Sequence, residues 1–353
     1  MDSITHLFYG GVICAAIAPK ADRRAALLAG AALNTVPDLD VFPLLLSDNP
    51  VLRMTCHRAA THSWLVLPLI AWAIWWCFKR RGGRVTAAPE RWWWAIFICL
   101  MAHPLLDSFT VYGTQLLWPI PLPPLMWSTL FIVDPLFTLP WLLACIVAWW
   151  AWNKPLGQRA LLAGLVLGVG YLGWSLLAKA LVTRVADREL AGLGHADAPR
   201  FSVPMPLNTL LWREVVMVPD GYLEGYRSLA ADRGPMRFVF HPSNTAALQA
   251  ASNVPTVQRL TWFTNGFVGA RVVDGALVLD DLRMGSAPDY FFSFRVAQHD
   301  AGTWKAVAPT QMHTLRIAPG AMWDSVWQRI WNAPVAQAAT GNSGDTPAIS
   351  ASK

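Results

Sequence analysis

Four apolar runs constrain this chain before anything else does: Trp64–Phe78, Trp92–Leu106, Ile132–Trp152 and Ala160–Val182. A hydrocarbon core about 30 Å thick takes about 20 helical residues to cross. Only 14% of the chain is charged, against roughly 25% in a soluble domain. The expected fold is therefore an α-helical polytopic membrane domain with four clear spans. Ahead of them lie two shorter apolar arms, Leu7–Ala18 and Ala25–Val36, separated by Lys20, Asp22, Arg23 and Arg24. Each arm is short for a span, so they read as an N-terminal pair of short helices or a re-entrant hairpin. Gly10, Gly11, Ala15, Ala18, Ala29 and Ala32 would let the arms approach closely.

The apolar character stops abruptly. Residues 1–183 hold 13 of the basic and 8 of the acidic side chains, whereas 184–353 hold 15 and 14 and contain no long apolar run. The expected division is a membrane domain over 1–183, a linker over 184–199, a soluble β-rich domain over 200–333 and a disordered tail over 334–353. Short runs at Arg237–His241, Gln258–Thr264, Ala270–Val273, Ala276–Leu282, Tyr290–Val296 and Thr314–Ile317 predict mainly antiparallel strands. Val273-Asp274-Gly275-Ala276 predicts a hairpin turn. The five cysteines all lie before residue 184 without CxxC spacing. They read as small buried apolar side chains rather than a disulfide framework.

Lys and Arg near apolar runs report topology more than ligand preference, so no nucleic-acid partner is expected. Ten of them fall in the connections 20–24, 79–91 and 153–159, and only Arg53 and Arg58 in 37–63 and 107–131. The basic connections are expected in the cytoplasm. The N-terminus, which lacks the basic n-region of a cleaved signal peptide, then faces outward with the C-terminal domain.

That orientation brings four polar pairs to one level. His57-Arg58-Ala59-Ala60-Thr61-His62-Ser63 opens the first clear span. His57 and His62 stand about 140° apart on a continuous helix, so both reach one site only if His57 lies in a loop and a helix begins at about Thr61. His103 and Asp107 are four apart and share a helix face. Asp2 and His6 repeat the spacing in reverse, and Asp38 and Asp40 flank Leu39 after Pro37. Singly, each pair also reads as a capping Asp or an interfacial His. Together they predict a metal site of Asp2, His6, Asp38, Asp40, His57, His62, His103 and Asp107. Imidazole and carboxylate donors suit zinc, manganese or iron, and eight donors suit one or two divalent ions, zinc foremost. Arg58 would stabilise a developing anion, and Asp38, Asp40 or Asp107 would take a proton. Asp134 before Pro135 reads as a helix cap, Lys179 as a snorkelling side chain, and His195, His241, His299 and His313 lack metal spacing.

The Asp-x-x-x-His start, Pro37-Asp38-Leu39-Asp40, the His-Arg-x-x-Thr-His-Ser stretch and His103-x-x-x-Asp107 with a following Gly113-Thr114 resemble the YdjM/DUF457 group of inner-membrane metal-dependent hydrolases. The likeness spans roughly residues 1–180. Pro204-Met205-Pro206-Leu207-Asn208, Trp212-Arg213 and Tyr222 to Ser228 are similar to the region following the membrane part in some members. The donor pattern also looks distantly like zinc-dependent phospholipase C. The resemblance implies that the eight His and Asp residues form the polar site with Arg58 beside it. It also implies a multi-pass protein of the bacterial inner membrane with a periplasmic C-terminal domain. The expected activity is metal-dependent hydrolysis of a phospholipid-like or other phosphoester, with membrane lipid or a small molecule as the partner. A non-catalytic envelope scaffold or sensor, or a metal transporter, is the alternative.

Overall fold

A computed structural model describes residues 1–312 and 319–334. The expected strand Thr314–Ile317, His313 and the tail from 335 onward lie outside the described residues. The chain divides into two units, one of Met1–Asp48, Leu52–Trp127 and Ile132–Trp174, the other of Asn49–Val51, Ser128–Phe131 and Ser175–Lys353.

The first unit is helical. Helix α1 (Ser3–Ile17) is capped by Asp2, whose carboxylate accepts from Thr5 N at 3.0 Å. A 3-10 turn leads into α2 (Arg23–Thr35), a second 3-10 turn spans Pro37–Asp40, and α3 (Val41–Leu44) follows. Helix α4 (Pro50–Cys56) precedes a third 3-10 turn at Ala60–His62. Then come α5 (Leu67–Arg81), α6 (Arg84–Ala87), α7 (Pro89–Asp107), α8 (Pro135–Trp150) and α9 (Pro155–Gly192), whose residues from Ser175 onward belong to the second unit. Helix α5 ends where Gly82 takes a φ of 83°, with Lys79, Arg80 and Arg81 in its last turn. Cations there complement the carbonyl end of the helix dipole. Asp134 caps α8, as its position before Pro135 predicts.

The spans differ from expectation. Among the described residues, two helical stretches are long and apolar enough to cross a bilayer, Lys20–Leu44 and Pro155–Gly192. A third exists if Pro50–His62 and Leu67–Arg81, bent by 57°, count together. Four clear spans are not supported. Helices α5 and α8 hold 15 and 16 residues, about 22–24 Å of rise and short of the ~30 Å core. The second N-terminal arm gains length instead, because the turn at Pro37–Asp40 continues the helical path into α3. Residues expected to be a loop (41–56) contain α3 and α4.

Helices α1 and α2 pack backbone to backbone. A Cβ on Gly30 would sit 2.1 Å from the Gly10 carbonyl oxygen, and one on Gly10 would sit 2.3 Å from Asn34 Cβ. Only glycine fits at that crossing, and it brings Asn34 (fully buried) against α1.

The second unit holds two four-stranded antiparallel sheets. The first has the order β1-β2-β3-β4: Arg200–Pro204, Leu211–Val218, Gly221–Ser228 and Phe238–Pro242. Helices α10 (Thr245–Ala250) and α11 (Pro255–Phe263) follow. The second sheet contains β5 (Val268–Val273), β6 (Ala276–Asp281), β9 (Ser293–Asp300) and β10 (Thr303–Gln311), with β7 (Gly285–Ser286) and β8 (Asp289–Tyr290) as a small separate ribbon. The predicted turn joins β5 to β6, with Asp274 and Gly275 at φ 50° and 72°. Positive φ at both central residues matches the twist of the strands it links. Helix α12 (Pro319–Trp331) closes the described chain.

Two expectations are corrected here. Gln258–Thr264 lies largely in α11 and is not a strand; Pro255 opens that helix, and buried Val257, Leu260 and Phe263 recur with helical spacing. The linker begins later than expected, because α9 runs to Gly192. Its last turns serve as core: Ala186 and Leu190 pack with Val216, Leu223, Met236 and Phe238.

Candidate metal centre

Two short turns and one helix end build the site. Asp38 comes from the Pro37–Asp40 turn, His62 from the Ala60–His62 turn, and His103 and Asp107 from one face of the last turn of α7. One ligand atom from each of these four residues lies within 4.8 Å of the others. His62 Nε2 and His103 Nε2 are 3.0 Å apart. Asp38 Oδ1 is 3.4 Å from the first and 3.5 Å from the second, and Asp107 Oδ2 is 3.3 Å from both. Zinc bonds of 2.0–2.1 Å in a tetrahedron imply donor–donor separations of about 3.3 Å. These five separations, 3.0–3.5 Å, match that spacing.

The surroundings leave the right atoms free. His103 Nδ1 lies 2.7 Å from the Asn34 carbonyl oxygen, an acceptor, so it carries a proton and Nε2 is the ring nitrogen that would meet a metal. His62 Nδ1 lies 3.0 Å from Thr61 Oγ1 and 3.9 Å from Asp40 Oδ2. Partners of this kind hold metal-ligating imidazoles in one orientation. Asp107 is divided between its two oxygens. Oδ1 takes the Met1 amine, His6 Nε2 at 3.2 Å and Arg58 Nη2 at 3.2 Å. Oδ2 is buried and makes no hydrogen bond. A buried carboxylate oxygen without a donor is costly, and this one is aimed at two imidazole nitrogens. Two nitrogens and two oxygens at these separations fit a divalent ion.

Residues 1–182 match a family described as YdjM inner membrane protein. The chain belongs to the YdjM inner membrane protein family. No curated protein and no solved structure matches it.

The remaining predicted site residues of this YdjM-family chain take other places. His57 pairs with Asp40, Nδ1 to Oδ1 at 2.8 Å. Asp40 also accepts from Arg58 N and Thr61 Oγ1. This pair borders the cluster, with the His57 ring edge-on to His62 at 5.7 Å. As the spacing required, His57 lies in the loop after α4. His62 sits in a 3-10 turn, however, and the next helix starts at Leu67 rather than at Thr61. His6 stacks on His103 at 3.9 Å and reaches Asn34 Oδ1 with Nδ1 at 2.9 Å. It supports Asp107 from behind. Asp2 is turned to Thr5 N and Thr5 Oγ1 as the α1 cap. Arg58 takes a φ of 62°, is buried, and sets Nη1 on Thr110 Oγ1 at 3.0 Å with its guanidinium over Tyr112.

Asn34, Thr110 and Tyr112 are site neighbours that the spacing of His and Asp does not point to, and Thr61 lies in the His57–Ser63 stretch without an assigned role. Asn34 had a signal: it is the one amide in the apolar arm Ala25–Val36, and a buried amide needs partners. Its Nδ2 donates to Cys99 O at 2.6 Å, joining α2 to α7.

Proposed function

We propose that this protein is a membrane-bound, metal-dependent hydrolase acting on a phospholipid-like or other phosphoester. One observation carries the reading. Asp38, His62, His103 and Asp107 converge with the Asp107 Oδ2 atom left without a donor, beside a buried guanidinium. These four residues would hold one divalent ion, zinc being the first candidate from the donor set. A bound ion would supply Lewis-acid polarisation and a more acidic water. Arg58 lies on Asp107 and over Tyr112, where a guanidinium can meet the oxygens of a phosphoryl group. His57 is the proton-handling residue: Asp40 holds its Nδ1, which leaves the other ring nitrogen to accept or return a proton. At 24% side-chain exposure, His57 is open to a substrate, whereas His62, His103 and Asp107 are fully enclosed and Asp38 is partly so. Asp38 and Asp107 are thereby assigned to the ion rather than to proton transfer.

The orientation proposed is multi-pass, with the site and the C-terminal domain outside the cytoplasm. Ten Lys and Arg concentrated in 20–24, 79–91 and 153–159 support it. A reporter fused at the C-terminus should read extracytoplasmic; a cytoplasmic signal reverses the assignment.

The decisive experiment is metal analysis of the purified protein with a phosphoester assay in mixed lipid vesicles. The wild type should hold about one divalent ion per chain, as four donors imply. His103→Ala should lose the ion and the activity together. His57→Ala should keep the ion and lose the activity. Asp2→Asn should keep both, because Asp2 serves as a cap. A wild type without metal, or a His103→Ala variant that keeps it, overturns the proposal.

A further inference from the structure

We propose that α12 is an interfacial anchor whose Trp323, Trp327 and Trp331 lie in the headgroup region of the bilayer that α9 crosses. These residues recur every fourth position and so share one face of the helix. They are 37%, 50% and 53% exposed, and consecutive rings lie 5.8 and 5.7 Å apart. A continuous ladder of exposed indoles is unfavourable in water, and indoles favour the membrane–water boundary. The adjoining face is already used: Val326 and Ile330 are buried against Leu211, Met205, Leu210 and Ala230.

The end of the domain to which α12 is fixed supplies the occupant. Helix α9 exposes large apolar side chains up to Leu181; Lys179 is the one charge in the stretch 160–183, and the charges become dense only from Arg184, with Asp187, Arg188 and Glu189 following. The apolar phase therefore ends near residues 181–184. Strand β2 lies along the helix from that point: Trp212 packs on Ala178 and Val182, and Val216 packs on Ala186 and Leu190. Val182 and Leu190 are about 12 Å apart along the axis, so β2 has a bilayer-near end at Leu211-Trp212 and a far end at Val216. Helix α12 is attached at the near end. It packs on Leu211, and its Ile330 carbonyl accepts from Ser228 Oγ at 2.6 Å, Ser228 being the register partner of Leu211. Arg329 pairs with Asp232 beyond the same end of β3. The indole ladder thus stands at the depth where the span leaves hydrocarbon.

Charge does not drive the docking. Asp324 and Arg329 are the only charged residues of α12, and Arg329 is engaged by Asp232. Anchoring should persist in phosphatidylcholine without anionic lipid.

The test uses the full chain in phosphatidylcholine nanodiscs, with acyl chains plain or brominated near the headgroup. Wild type is compared with the triple variant W323F/W327F/W331F, and the difference in Trp emission isolates the three indoles. That difference should fall about twofold or more in brominated lipid, as expected of indoles at the interface, and respond little to aqueous acrylamide. Two results overturn the proposal. Emission quenched by acrylamide and not by bromine places the ladder in water. Emission quenched by neither, with a concentration-dependent cross-link between chains, places it against a second copy. If the triple variant does not fold, the three single Trp→Phe variants give the same reading.

Discussion

Both units bury charge, and they do so in opposite ways. Among the described residues of the second unit, the two buried guanidinium groups each face an anion. Arg213 meets Glu224 at 2.8 Å and Arg283 meets Asp281 at 2.8 Å, and the buried Asp280 is gripped through two nitrogens by Arg271, which is itself exposed. Tyr226 completes Glu224, and Ser293 completes Asp280. In the first unit two histidines and two aspartates crowd together, His6 and Arg58 lie on one of the Asp107 oxygens, and its other oxygen is left over. A closed set of pairs is what a fold needs in order to tolerate burial. A set of donors all pointing at one point, with a lone pair to spare, is what a ligand needs.

That contrast can be broken at its strongest point. Glu224→Ala strands the Arg213 guanidinium, which is 1% exposed. Removing one partner of a buried pair costs about 3–5 kcal/mol, so thermal unfolding of the C-terminal domain should drop steeply while metal content stays unchanged. A variant that loses metal as well would show that the two networks are not separate.

The next effect concerns Glu214, a buried acidic group of the second unit outside those ion pairs. It is 1% exposed on the α9 side of β2, and one of its oxygens lacks a hydrogen bond. Burial pushes its carboxyl up to about 7, against the pull of the Ser202 hydroxyl and the Lys179 ammonium. Because the folded state favours the protonated form, stability is greatest below the unfolded carboxyl's value near 4.5. It declines as pH rises from there through about 7. The full swing is on the order of 3 kcal/mol. Hydrogen exchange across β1 to β3 at pH 5 and pH 8 should show the loss, and Glu214→Gln should flatten it. A domain equally protected at both values contradicts the assignment.

The smallest effect sharpens the description of the metal centre. Asn34→Ala removes the amide that holds His6 and joins α2 to Cys99 of α7. Changes one step out from metal ligands cost about 10–100-fold in affinity. Chelator competition should place this variant near the lower figure, since the Asn34 backbone carbonyl still orients His103. An unchanged affinity would mean that the cluster is held without α2.

Much of the site was legible because its spacing survives folding. His103 and Asp107 share a face on any helix, and His57 and His62 cannot, so a loop between them was required. The expectation that the four polar pairs meet at one level rested on the charge asymmetry of the connections. The division of labour was not legible. Asp2 and Asp38 both follow or precede helices in the sequence, yet one caps α1 and the other joins the cluster. His6 and His62 are both imidazoles near helix starts, yet one braces Asp107 from outside. Spans were over-read because apolar runs rich in Trp and Pro look longer in sequence than the helices they form. Strand Gln258–Thr264 was misread because a short apolar stretch is compatible with either period until Pro255 and the buried positions decide.

By itself the sequence determined that the chain has an apolar, His- and Asp-bearing half and a charged, β-rich half, and which residue types could bind metal. Both follow from local composition and from the angular period of the backbone. Only the tertiary structure decided that Asp38, His62, His103 and Asp107 share one point, that Asp40 belongs to His57, and that Asp107 keeps one oxygen free. Those outcomes depend on where helices cross, and the crossing at Gly10 and Gly30 is set by van der Waals contact between segments that no spacing rule connects.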